Sequence, residues 1–173
     1  MEIEIILRDK KIKPKQKVDL ISQNILSGEM TLNYLLDYAK SSGEVDRANC
    51  LEALEYVSKT NPKLINSDWF DFAVECLGGK APRVKWEAAR LIANIVMEMP
   101  EKAESAVHNL LNNTKFDGTV VKWSAATALG QIIKLKNSNL NEIIIPEAEL
   151  ILESDEKNSI KKIYLDAIKK SKK

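Results

Sequence analysis

The chain of 173 residues holds a single histidine, His108, and two cysteines, Cys50 and Cys76. His108 stands beside Leu110 and Leu111 with no second His, Cys or acidic cluster in ligand spacing, which argues against a zinc centre or a histidine-based catalytic pair. It reads as a surface or boundary residue. The cysteines fall inside apolar stretches without metal-ligand spacing, and read as buried thiols rather than cross-links. Six glycines and five prolines are too few turn formers for an array of short strands, so helices are favoured. No apolar run reaches the roughly 20 residues that cross a bilayer. The opening Met1 to Leu7 is acidic where a signal peptide is basic, so a cytoplasmic protein with no membrane segment is expected. There is no Gly-rich phosphate loop and no nucleophile elbow. The acidic neighbours Glu147 and Glu149, or Asp155 and Glu156, are spaced so that they do not share a helical face. We therefore expect no catalytic, cofactor-binding or metal-binding residues, no small-molecule substrate, and not an enzyme.

What charge there is lies unevenly. Residues 8–17 carry six basic side chains against Asp9, and residues 157–173 carry seven against Asp166, a net +5 and +6. Residues 18–156 hold 13 Lys and Arg against 21 Asp and Glu, a net −8. Duplex binding needs clustered cations, and an acidic body repels phosphates. Nucleic acid is thus disfavoured as a partner, and the lysines near the C-terminus suit a helix end, where cations offset the macrodipole.

Residues 1–12 alternate imperfectly between charge and Ile, fitting either a short extended arm or a ragged helical turn. Pro14 opens a helix over 13–28 that Gly28 ends, and this reads as a cap. Helix pairs follow over 30–59, 67–99, 102–135 and 139–170, giving one domain, 1–173. Pro146 either kinks the last pair's first helix or serves as its true first turn after an extended Ile143–Ile145. Trp69, Phe70 and Phe72 open a first helix and read as core.

A block recurs in the second helices: Val84-Lys85-Trp86-Glu87-Ala88-Ala89-Arg90-Leu91-Ile92 and Val121-Lys122-Trp123-Ser124-Ala125-Ala126-Thr127-Ala128-Leu129. Aligned on Val45, Val84, Val121 and Ile160, the second helices repeat at 39, 37 and 39 residues, a helix-pair period. At 100° per residue Val84, Ala88, Leu91, Ile92 and Ile95 form one stripe, reproduced by Val121, Ala125, Ala128, Leu129 and Ile132. The small alanines permit close helix approach.

Val121 to Ile132 resembles the second helix of a HEAT repeat, which runs Val-Arg, two variable residues, Ala-Ala, then Ala-Leu-Gly and an aliphatic. Val84 to Ile95 follows the same pattern with Ile92-Ala93 in place of Leu-Gly. The resemblance implies an all-α fold, a right-handed α-α superhelix of about four helix pairs plus an N-terminal helix, of the HEAT-like or armadillo type. It also implies a surface that binds another macromolecule. The alkylpurine DNA glycosylases, HEAT-like solenoids with Trp, Asp and Arg on a basic concave face, are similar in architecture, although no Asp stands on the Trp-bearing face here; a nucleic-acid-binding module or a glycosylase of that kind is the alternative function. HEAT-like metal hydroxylases need repeated His-Glu pairs, which one histidine cannot supply.

Trp86 and Trp123 share one repeat position, about 200° around the helix from Val84 and Val121 and far from the core stripe. With Arg47 taken as their equivalent in the first repeat, and Arg90 one turn beyond, they define a candidate partner-binding strip on the inner face: Arg47, Trp86, Arg90 and Trp123. Trp and Arg are favoured anchors of interfaces. The competing reading packs each indole between repeats, because a Trp offers on the order of 150–250 Å² for burial. The function expected is a non-enzymatic interaction module or scaffold with a protein partner.

Overall fold

The computed structural model describes residues 2–173, and every regular element among them is helical. A six-residue helix, α1 (Ile3–Arg8), precedes α2 (Pro14–Leu26), α3 (Leu32–Ser41), α4 (Glu44–Thr60), α5 (Ser67–Leu77) and α6 (Pro82–Ile95). Then come α7 (Ala103–Asn113), α8 (Thr119–Lys134), α9 (Ser138–Glu153) and α10 (Asn158–Ser171). Short 3-10 turns at Pro62–Leu64 and Pro100–Lys102 replace the tight loops elsewhere. The starts are set by local chemistry. Thr31 Oγ1 accepts from the Tyr34 N–H, Asn66 Oδ1 from Trp69, and Asn137 Oδ1 from Leu140, each answering one orphan donor of a first turn. Gly28, just past α2, sits at φ 80°, a left-handed conformation that glycine adopts without a Cβ penalty.

The helices form two layers. Helices α2, α4, α6, α8 and α10 pack side by side, each on the next, while α3, α5, α7 and α9 cover them. Val84, Ala88, Leu91, Ile92 and Ile95, with their counterparts Val121, Ala125, Ala128, Leu129 and Ile132, are all buried between the layers. At Gly130 an added Cβ would lie 3.0 Å from Ile163 Cγ2 on α10, so the small residue sets how closely α8 and α10 approach. This is a right-handed α-α superhelix of helix pairs, with α1 as a truncated first member of an opening pair completed by α2.

One chemical device recurs in that layer. The fourth residue of every second helix is basic: Lys17, Arg47, Lys85, Lys122 and Lys161. Lys17 donates to the carbonyl of Leu7, and Lys161 to that of Ser154. Arg47 donates to Ala39, Lys40 and Ser42, and Lys85 to Leu77 at 2.7 Å. In four of the five pairs a cation from the second helix thus closes the carbonyl end of the first, where the helix dipole is negative. Lys122 instead reaches Glu156 Oε2 at 3.0 Å, tying α8 to the loop before α10.

Three expectations change. Residues 3–8 are helical, settling the open question over the first twelve residues. Helix α9 runs unbroken through Pro146, so Ile143–Ile145 is helical rather than extended. Val45 is 69% exposed because the true repeat register, fixed by the basic residue, pairs Val84 with Asp46. Asp46 accepts a hydrogen bond from the Tyr38 hydroxyl at 2.9 Å, which a valine could not.

Candidate aromatic and ion-pair face on the second helices

In that register Trp86 and Trp123 remain equivalent, one residue after the basic position, and Ala48 occupies their place in α4. Trp123 is 39% exposed and Trp86 half-buried. Neither is core. The contrast is Trp69, fully buried, with its indole N–H donated to Leu32 O at 3.0 Å and its ring edge-on to Phe72. Val120, Tyr56 and Met97 are further large exposed apolar side chains on or just beyond α4, α6 and α8.

Arg47 does not join this strip. Its Nε and Nη2 hold the end of α3, and it lines an open cleft of about 500 Å³ with Lys40, Glu44, Phe72, Glu75 and Lys80. Its equivalent is Lys85, not Trp86. Sequence reasoning placed it one residue out of register because valine, rather than the basic residue, was used to align α4. His108 is exposed, and Cys50 and Cys76 are buried free thiols, their pKa values raised by burial.

Arg90 stands among residues that sequence reasoning missed. Its Nη2 donates to Glu55 Oε1 at 3.0 Å, and its Nη1 lies 3.6 Å from Glu87 Oε2. Lys59 Nζ meets the same Glu55 oxygen at 2.9 Å and lies over the Tyr56 ring. The Trp86 indole N–H donates to Glu87 Oε1 at 2.8 Å. One turn away Arg83 bridges Glu52 Oε2 and Asn49 Oδ1, and Asn94 donates to Ser58 Oγ and to the Glu55 carbonyl. Helices α4 and α6 are thereby joined by charge as well as by packing.

The two central carboxylates are buried, Glu55 at 2% and Glu87 at 3%. In each, Oε2 accepts no hydrogen bond from the described residues. Burial pushes the Glu87 carboxyl above the ordinary range, opposed by the Trp86 N–H and by Arg90, and reinforced by Glu52 and Glu55. One signal could have found both residues. Glu87 occupies the position that Ser124 fills in α8, inside the small-residue stripe, and Glu55 interrupts the run Ala53, Leu54, Val57. A charge inside an apolar frame marks a paired, buried group.

No protein-family model matches the chain, and no curated protein matches it either. Solved structures do. A designed armadillo repeat protein in complex with the peptide (KR)4 aligns at TM-score 0.77 and 17% identity, over 98% of this chain and 80% of that one. A computationally designed armadillo repeat protein for modular peptide recognition aligns at TM-score 0.74 and 18% identity, over 97% of this chain and 80% of that one. The complex of CpcE and CpcF of phycocyanin lyase from Nostoc sp. PCC7120 aligns at TM-score 0.68 and 17% identity, over 95% and 94%. The chain is a HEAT- and armadillo-like helical repeat solenoid, and identities this low establish the fold alone. Among the described residues no helix is long and apolar enough to cross a membrane.

Proposed function

We propose that the chain is a non-enzymatic binding module that takes an extended segment of a protein partner along the second-helix face. Trp86 and Trp123 are its anchors and Arg90 is a charged contact. The observation that carries this reading is the exposure of Trp123 at 39%. The stripe Val121, Ala125, Ala128, Leu129 and Ile132 on the same helix is buried, whereas this indole stands outside it, where Trp is a favoured interface anchor. The designed armadillo neighbours, one solved with a peptide and one made for peptide recognition, support a peptide-like occupant. Glu87 accepts from the Trp86 indole, and with the net −8 of residues 18–156 it weighs against a phosphate backbone there.

The reading is tested by selecting a displayed library of random twelve-residue peptides on the wild-type chain and on the variant Trp86→Ala with Trp123→Ala. Enrichment on wild type, lost on a variant whose far-ultraviolet circular dichroism is unchanged, is the expected result. Equal enrichment on both proteins removes the indoles from the site. No enrichment on wild type overturns the peptide-binding reading itself.

A further inference from the structure

The last helix pair leaves one flank uncovered. Aligned on its basic fourth residue, α10 places Leu165 and Ile168 where α4 has Leu51 and Leu54, α6 has Ala89 and Ile92, and α8 has Ala126 and Leu129. Those six residues are at most 1% exposed, and the following second helix packs on each of their helices. Leu165 is 55% exposed and Ile168 half-buried. Ile163, which meets Gly130, marks the flank of α10 that faces α8. Lys161, Leu165, Ile168 and Lys172 lie about 140–180° around the helix from it. On α9, the ion pair of Glu147 with Lys115 marks the flank toward α7. Glu142, Ile145, Glu149 and Leu152 lie about 140–160° from Glu147. Both sets step by alternating threes and fours, the spacing of a helix-on-helix seam. Ile145 and Leu152 are half-buried, and Glu142 and Glu149 are exposed with no ion pair among the described residues. On α5 the equivalent of Glu142, counted from the capping Asn66 and Asn137, is Asp71, and Lys102 of the next pair meets it at 2.7 Å.

We propose that this flank is a homodimer interface covered by a second copy of the chain, related by a two-fold axis parallel to α9 and α10. It does not rest on the peptide-binding reading. Helices α9 and α10 are packed neighbours joined by four residues, 154–157, and so run antiparallel. The two-fold lays α9 of each copy antiparallel on α10 of the other. Glu142 then meets Lys172 of the second copy, Ile145 meets its Ile168, and Glu149 meets the step between its Leu165 and Lys161. A two-fold perpendicular to the helices would instead set glutamates against glutamates and lysines against lysines, so charge selects the parallel axis. The four apolar side chains leave water together. Such an isologous contact closes on itself and yields dimers rather than chains. Head-to-tail stacking is opposed, because it brings the net +5 of residues 8–17 against the net +6 of residues 157–173.

The experiment is sedimentation velocity on the full chain over a concentration series. Wild type is expected to show a monomer–dimer equilibrium with no larger species. Leu165→Glu, at a position 55% exposed, sets an acid against Glu149 of the second copy and should abolish the dimer with circular dichroism unchanged. Glu142→Lys should weaken dimerisation about tenfold by facing Lys172. Adding Lys172→Glu to that chain should restore the dimer, since the same pair re-forms twice across the axis with its signs exchanged. Neither change alters a residue of the buried core, so recovery by the second reports the contact itself. A chain that stays monomeric at every concentration overturns the proposal. So does a dimer that survives Leu165→Glu, or a Glu142→Lys loss that Lys172→Glu deepens. A dimer lost in Trp86→Ala with Trp123→Ala also overturns it, by placing the contact on the indole strip.

Discussion

Arg90 on α6 donates to Glu55 on α4 across 3.0 Å, from a side chain 31% exposed to one 3% exposed. This ion pair couples two repeats. Its removal from one side is different from its removal from both. Arg90→Met leaves Glu87 without a cation and Glu55 with Lys59 alone. Breaking a buried pair costs roughly 3–5 kcal/mol. The partial exposure of Arg90 and the remaining Lys59 should bring the loss to about 2 kcal/mol. Arg90→Met combined with Glu55→Leu and Glu87→Leu should recover most of it, since an apolar replacement strands no charge. Urea unfolding at neutral pH measures both. A triple variant less stable than the single one shows that the stranded carboxylates are not the cause.

The Glu87 carboxyl is held above its ordinary value of 4.5 chiefly by burial. An acid raised in the folded state binds more protons folded than unfolded between the two pKa values. Stability therefore falls as pH rises through that window. Glu87→Gln cannot titrate and keeps an acceptor for the Trp86 N–H. The stability of Glu87→Gln relative to wild type is expected to grow as pH rises from about 4 toward neutrality. Subtracting the two curves cancels the carboxyls of Glu156 and Asp166, whose pKa values are lowered and work in the opposite direction. A flat difference shows that Glu87 has the same pKa folded and unfolded.

How much of this was legible beforehand depends on the kind of force involved. The two-layer solenoid follows from the apolar period, because Val84, Ala88, Leu91 and their counterparts have no other way to leave water. Register in α4 was misread, because Asp46 replaces the expected aliphatic and Tyr38, eight residues earlier, makes that acceptable. Periodicity does not report a hydrogen bond between helices. The link from Glu55 to Arg90 and Glu87 was invisible for the same reason: Glu55 lies 35 and 32 residues from them, and only packing brings them together. The placement of the indoles was a balance between exposure and inter-repeat packing, and the structure divides it, with Trp123 exposed and Trp86 half-buried.

The three tryptophans should separate cleanly in mutagenesis. Trp69 is fully buried and its N–H bonds Leu32 O, linking α5 to α3. Trp69→Ala is expected to cost about 3–5 kcal/mol, as large aromatic truncations in cores do. Trp123→Ala removes a side chain already 39% exposed and should cost about 1 kcal/mol or less. Thermal or urea unfolding distinguishes them, and equal losses would place Trp123 in the core.

Arg47 offers the complementary prediction, a residue whose loss harms the fold and spares binding. Its guanidinium donates to the carbonyls of Ala39 at 3.1 Å, Lys40 at 3.3 Å and Ser42 at 2.9 Å. These are acceptors at the end of α3 that no intrahelical N–H can reach. Charge-assisted bonds of this kind contribute about 1.5–3 kcal/mol each when buried, and less here because water can replace part of them. Arg47→Met keeps the stem and removes the donors, so a loss of about 1–2 kcal/mol is expected. Lys at this position, which serves the same role at Lys85, should restore part of it. Peptide enrichment by Arg47→Met should match wild type at a temperature where both are folded, because the cap lies at the α3 end and not on the indole strip. Loss of peptide binding with stability unchanged would return Arg47 to the binding face.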